Sequence, residues 1–298
     1  MCLHHRTRFL MSFLTMTLTL FLASSFAVSG EEENNKSISF SQCRDIAQEY
    51  GFNTPKQLKE KLTGYSIGDP LSDKEFQDAN IQFFTAIKKL PKEFVRSCKL
   101  KTVILVKNLK ISKSKKTSDE NNQVSSSGYV QGDTLHLSYP FHEKTIYQAL
   151  FMIFDKKDNI KKWNKLNNPK FVYAGNKFAE MYGDKADGKN KKTISKEDII
   201  NDFVNEHAMT YEWMDRADTF AYMLTYPTEV WEKAKKSEVL YKKLLYIVEE
   251  TESNHFLGKD FWGKIYPELQ KDKNNKNTTK DSNNSSPKQD KNTKKSEK

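Results

Sequence analysis

Apolar residues recur at helical spacing in several separate stretches of the chain and at strand spacing in two. Phe76, Ala79, Phe83, Ile87 and Leu90 repeat every three or four positions and stop at Pro91, which predicts one amphipathic helix. In front of it, Ser72 and Glu75 stand three apart in Ser72-Asp73-Lys74-Glu75, the pattern of a capping box. Asn53-Thr54-Pro55 with Gly64 beyond predicts a short helix between a cap and a stop. Residues 102–106 are apolar and largely β-branched, which predicts a buried strand. Residues 129–137 alternate around Gly132-Asp133, which predicts a strand or a strand pair. Residues 111–127 and 183–195 are polar and read as loops. Helices are predicted over 143–155, 158–166, 198–206, 211–225, 237–251 and 260–269. A few strands first and mostly helices after predict an α+β fold rather than a doubly wound sheet.

The two ends of the chain change the picture. Residues 1–29 read as a signal peptide: His4-His5-Arg6-Thr7-Arg8 is basic, 9–22 is apolar, and Ala27-Val28-Ser29 offers small side chains for cleavage. The expected location is therefore secreted or extracytoplasmic, with an uncleaved anchor as the alternative. Residues 271–298 hold nine lysines and four acids and no large apolar residue. They cannot bury enough surface to offset chain entropy and are expected to be disordered. The formal net charge of +10 is thus carried mostly by the ends. A nucleic-acid surface needs basic residues gathered on a folded face, and the middle of the chain has no such stripe. Only 9–28 is apolar enough to span a bilayer, which excludes a multi-pass membrane protein.

Cys43 and Cys98 lie in the region between the ends. In an exported protein an even pair is most simply one disulfide. It would close a loop of about 55 residues and contribute roughly 4 kcal/mol on the chain-entropy account. Two buried, reduced thiols are the alternative.

Two helices carry the candidate chemistry. On the first, Ile146, Leu150, Ile153 and Phe154 form a core stripe, and Gln148, Met152 and Asp155 occupy the face beside it. On the second, Ala217, Phe220, Ala221 and Leu224 form the stripe, and Met214, Asp218 and Tyr222 lie on a neighbouring face. The segment Thr145-Ile146-Tyr147-Gln148-Ala149-Leu150-Phe151-Met152-Ile153-Phe154-Asp155 resembles the active-site helix of zincin-type metallopeptidases, HExxHxxD. The branch in question includes the catalytic domain of anthrax lethal factor and the secreted Pro-Pro endopeptidases. About fifty residues on, that family has a tyrosine and, seven residues later, ExxAE. Here His207 and Met214 keep the seven-residue spacing, and Ala217 precedes Asp218 as the family's alanine precedes its last acid. Gly128-Tyr129-Val130-Gln131-Gly132-Asp133-Thr134-Leu135-His136-Leu137 resembles the strand in front of the helix. The resemblance covers roughly 100–225.

The resemblance implies a zincin-like fold: a small twisted sheet over the active-site-type helix, with a mainly helical remainder. It also implies a zinc cofactor and a peptide lying extended against an edge strand above the metal. Together with the ends read above, this divides the chain into a signal peptide (1–29), an N-terminal helical region (30–99), the zincin-like domain (100–270) and the tail (271–298). Its chemistry, however, needs three N or O donors, an open fourth position for water and a base. Gln148 and Met152 stand at the two histidine positions, Met214 at the third ligand, Ala149 at the glutamate base and His207 at the tyrosine. Asp155 keeps the family's aspartate, and Asp218 replaces a glutamate. An amide and a thioether are poor donors for zinc, and a missing base alone commonly costs ~10²–10⁴ in rate. His142-Glu143 does not rescue the motif, because Ile146 occupies the second histidine position.

The expectation is an exported pseudopeptidase with no catalytic residue and no metal. Its cleft would still take an extended peptide along 129–137, at Tyr129, Gln131, Asp133 and Leu135. A divergent hydrolase with a rebuilt site and an exported domain with no ligand are the alternatives. A further one is Cu(I), which suits thioether and imidazole donors: Met152 and Met214, with His207 and Met209 near them.

Overall fold

The computed structural model describes residues 38–56, 66–112, 123–155, 160–182, 196–253 and 257–269. The predicted signal peptide, the Lys/Asn/Ser-rich tail, the polar loop at 183–195 and most of the helix expected before Gly64 lie outside the described residues. Among the described residues no helix is long and apolar enough to cross a membrane.

The fold is α+β. Five strands form one mixed sheet: β1 (Ser66–Asp69), β2 (Thr102–Ser112), β3 (Gln123–Ser125), β4 (Gly128–Gln131) and β5 (Thr134–Ser138). The helices are α1 (Phe40–Tyr50), α2 (Asp73–Ile87), α3 (Lys92–Ser97), α4 (Glu143–Phe154), α5 (Ile160–Asn164), α6 (Phe178–Tyr182), α7 (Lys196–Ile199), α8 (Glu212–Thr225), α9 (Pro227–Ala234), α10 (Glu238–Ser253) and α11 (Lys259–Ile265). β2 is the spine of the sheet. Its first half pairs in parallel with β5, Val103 opposite Leu135, and its second half pairs antiparallel with β1 and β3. β4 and β5 form a hairpin through Gly132 at φ +61°, a left-handed position that suits glycine. The order β1-β2-β5-β4 leaves β4 at the edge.

Local sequence accounts for the element ends. Ser72 caps α2 by the expected exchange with Glu75, and Ser39 caps α1 in the same way with Gln42. Gly51 ends α1 at φ +85°, and its N–H and that of Phe52 both reach the carbonyl of Ala47. The predicted stripe of α2 is buried, with Phe83 and Ile87 fully so. β2 buries Val103, Leu105 and Val106 completely.

Several expectations need correcting. The sheet extends into a stretch read as loop: β2 runs to Ser112 and β3 spans Gln123–Ser125. The strand β1, four residues long, is too short to show an alternation and was not predicted; α9 was not predicted either, although Val230 and Ala234 are buried at helical spacing. The helix expected over 198–206 is a single turn, α7, followed by a 3-10 turn at Ile200–Asp202 and irregular chain. That segment is ordered by tertiary contacts instead: Asp202 accepts from Ser237 Oγ at 2.5 Å and, through its carbonyl, from Lys243 Nζ at 3.0 Å. The boundary drawn between 99 and 100 divides nothing, because Phe83, Phe94, Leu105, Leu150 and Phe220 belong to one core. Cys43 and Cys98 are both free thiols. Each is buried and aimed at a carbonyl, Cys43 at that of Ser39 and Cys98 at those of Phe94 and Leu150. Burial pushes Cys43 up to about 11 and Cys98 to about 12.

Candidate functional site

α4 and α8 pack face to face, and their shared seam builds the site. Phe151 of α4 stacks on Phe220 of α8 at 4.6 Å between ring centroids. Ala217 and Ala221 are fully buried beside it, and small side chains let the helices approach closely. The face of α4 beside this seam is the partly open one: Lys144, Gln148 and Asp155 are half-buried and Met152 is exposed, the i, i+4, i+8, i+11 row of a helix.

Gln148 and Met214 meet. The Gln148 side-chain amide donates to the Met214 thioether, with Nε2 and Sδ 3.0 Å apart. One turn along α8, Asp218 is buried to 2% and its Oδ2 lies 2.8 Å from Nδ1 of His207. Met214 and Asp218 share one face of α8 by their spacing, so the two contacts are neighbours. His207 sits on a 3-10 turn, His207–Met209, and its side chain is 54% exposed. A carboxylate on Nδ1 holds the ring in the tautomer that leaves Nε2 open. A further turn on, Tyr222 receives Lys144 Nζ on its hydroxyl at 3.4 Å and over its ring at 4.7 Å. Ala149 is buried and offers no titratable group. Met152 lies one turn from Gln148 and lines a separate pocket with Asp155, Ile160 and Trp213. Met209 is fully buried.

Behind this seam lies a charged layer that sequence reasoning missed, apart from the retained Asp155. Asp155 is paired with Arg216, Oδ1 to Nη2 at 2.6 Å. Arg216 has no exposure and lies 5.8 Å from the Trp163 ring and 5.7 Å from that of Tyr246. The contact between the charges does not satisfy hydrogen-bond geometry, so Asp155 Oδ1 and the Arg216 nitrogens are left without hydrogen bonds. Burial raises the Asp155 carboxyl to about 6 against the opposing pull of Arg216. Next to it, the fully buried Asp215 accepts from Lys243 at 2.8 Å, Tyr173 at 2.7 Å and Trp163 at 2.9 Å. Burial raises Asp215 and lowers Lys243, and their mutual attraction opposes both shifts. The one sequence signal for this layer was an acid and an arginine side by side, Asp215-Arg216, within a helix whose flanks are apolar.

The expected groove residues divide. Tyr129 and Gln131 are on the edge strand β4, half-buried. Asp133 is in the hairpin turn and pairs with Lys101 at 3.0 Å. Leu135 is on the interior strand β5, fully buried under the sheet, so it cannot line a groove. The expectation of one edge strand over 129–137 fails because the turn at Gly132-Asp133 folds the segment into a hairpin, with β5 inside. β4 lies directly on α4: a Cβ at Gly128 would come within 2.8 Å of Thr145 Cγ2.

Among the described residues no three or more His, Cys, Asp or Glu side chains gather to hold a metal ion. No known family model matches the chain, and no curated protein matches it. Among solved structures it is similar to a crystal structure described as a "putative zinc-binding metallo-peptidase" from Bacteroides caccae. The two are 13% identical, the match covers 76% of this chain and 89% of that one, and the TM-score is 0.49.

Proposed function

We propose that the protein is an exported, catalytically inactive counterpart of the zincin-type peptidases, whose cleft takes an extended peptide without a metal. The observation that carries this reading is the contact between Gln148 and Met214. The resemblance assigns metal ligands to both positions, on separate helices, and the side chains that meet there are an amide donor and a thioether. The amide turns its N–H, not a lone pair, toward the sulfur. A zinc centre needs three anionic or imidazole donors with room for water, and this pair offers neither. Ala149, at the position of the base, has no proton to move.

The peptide part of the proposal rests on β4. Among the described residues it is the end strand of the sheet order, and it packs on α4 at Thr145, next to the partly open row. An extended segment added there gains main-chain hydrogen bonds that need no metal. Elemental analysis of the purified protein should find less than about 0.1 zinc per chain, and an array of extended peptides should yield binders. Zinc at one per chain would favour an enzyme. Absence of any peptide binder, with circular dichroism showing an intact fold, would favour an exported domain without a ligand.

One observation favours the second reading, a hydrolase with a rebuilt site. His207 is held by the buried Asp218 with Nε2 left open, the arrangement of a general base. Peptide hydrolysis that His207→Ala abolishes would establish it. The proposal here expects no hydrolysis in either protein.

A further inference from the structure

Lys144 is an unmatched charge in the wall of the cleft. It stands on the partly open row of α4, one helical turn before Gln148, and is half-buried. Among the described residues its polar contact is with Tyr222 of α8: Nζ lies 3.4 Å from the hydroxyl and 4.7 Å from the ring centroid. Tyr222 in turn packs on the Tyr226 ring at 5.3 Å. An aromatic face and a hydroxyl hold an ammonium in place without cancelling its charge. The acids nearby are engaged elsewhere. Glu143 accepts from Lys89 at 2.8 Å and from the Tyr147 hydroxyl. Asp218 faces His207, and Asp155 faces Arg216. Because Tyr222 positions the ammonium before a ligand arrives, the ordering cost of pairing it is lowered.

We infer that Lys144 selects an acidic side chain, glutamate or aspartate, in the peptide that the cleft takes. The inference rests on the reading above that an extended peptide adds to β4. β4 packs on α4 at Thr145, the residue next to Lys144, and a strand added to β4 lies about 4.8 Å further out, toward the open row. Side chains on one face of an extended chain recur every ~6.8 Å, and Lys144 and Gln148 are ~6 Å apart along the helix axis. One peptide side chain therefore meets Lys144, and the next but one meets Gln148. At the first of these positions a carboxylate pairs with the ammonium. An apolar side chain there would cover the charge without matching it, and a basic one would be repelled.

The probes are octapeptides of alternating threonine and valine, acetylated and amidated, with one glutamate, glutamine or lysine walked through the positions and titrated into the full chain by calorimetry. At one position glutamate should bind about tenfold tighter than glutamine, and lysine more weakly than either. Lys144→Met, which keeps the stem and loses the charge, should erase the difference between glutamate and glutamine, and Lys144→Arg should keep it. Lys144→Glu should reverse the order and favour lysine at that same position. The nine lysines of residues 271–298 attract an acidic peptide wherever its charge lies, so dependence on position separates Lys144 from the tail. Glutamate and glutamine binding alike at every position, or a glutamate preference that a folded Lys144→Met protein retains, would overturn the inference and leave the cleft standing. Binding that needs a free C-terminal carboxylate and is indifferent to glutamate would assign the ammonium to the peptide's end and overturn it as well. If no octapeptide of any charge binds, the reading of the cleft itself falls, and the role of Lys144 with it.

Discussion

Asp155 was legible in the sequence as an acid one helical turn beyond Met152; its partner was not. Arg216 reaches it from a helix about sixty residues away, and no local pattern announces such a pairing. The consequence is measurable. Burial raises the Asp155 carboxyl to about 6 in the folded protein, against ~3.9 in an unfolded chain. The folded state therefore holds this proton more tightly. Its contribution to stability is greatest below about pH 4 and is lost as pH rises to about 6, by ~3 kcal/mol. Urea unfolding of Asp155→Asn, which keeps an amide beside Arg216, should lack that fall between pH 4 and 6. The same pH dependence in both proteins would show that Asp155 does not titrate as described. The cysteines illustrate the reverse difficulty. Their even number pointed to a disulfide, but pairing depends on where each Sγ is aimed, and each is aimed at a backbone carbonyl. With thiols pushed up to about 11 and about 12, neither should react with Ellman's reagent at pH 8 in the native protein. Both should react once it is denatured; a mass two hydrogens short, with neither thiol appearing on denaturation, would mean the disulfide forms after all.

Elements with a strong period were readable and those set by tertiary contact were not. α2, α4, α8 and α10 each bury a stripe at helical spacing, and the capping box of α2 is where Ser72 and Glu75 put it. α9 is eight residues long, with Pro227 at its start and only Val230 and Ala234 buried, so its period spans little more than two turns. β3 has three residues, too few to show an alternation, and exists because β2 offers it an edge. The hairpin of β4 and β5 was legible from Gly132-Asp133, while the choice of which strand lies inside depended on β2 pairing with β5. Gly128 is a position where the sheet closely approaches α4. Its hydrogen cannot become a methyl group without moving β4 or Thr145, whose Cγ2 would be 2.8 Å away with Leu137 Cδ2 at 3.3 Å. Overpacking of this kind costs about 1–3 kcal/mol. Gly128→Ala should lower the unfolding free energy by that amount and weaken any peptide bound along β4, since the strand must lift from the helix. Adding Thr145→Ser, which deletes the obstructing methyl, should restore most of the loss. If it restores none, the contact between β4 and α4 is not as close as described.

At the scale of the whole molecule, the question is what holds α4 and α8 together if no metal does. A structural zinc can supply ~10–16 kcal/mol, comparable to the entire stability of a domain, so a fold that depended on one would melt with chelator. Here the seam is closed by the Phe151–Phe220 stack and by the charged layer of Asp155 with Arg216 and Asp215 with Lys243. Removing one partner of such a buried pair typically costs ~3–5 kcal/mol, so the layer ties α8 to α4 on one side and to α10 on the other. Thermal unfolding should therefore be the same with and without EDTA. The frame itself can be tested by placing ligand side chains at the positions the resemblance assigns. Gln148→His and Met152→His place imidazoles at i and i+4 on the open row of α4, and Met214→Glu brings a carboxylate from α8 to the point where Gln148 now touches the thioether. If the two helices keep the spacing that the resemblance implies, this triple variant should take up about one zinc per chain, in the three-ligand arrangement with an open position. Its melting temperature should then fall when EDTA is added. It should still not cleave peptides, because Ala149 leaves no base beside the metal. A folded triple variant that takes up no zinc would place Gln148, Met152 and Met214 outside any common coordination sphere and end the comparison with zincin peptidases.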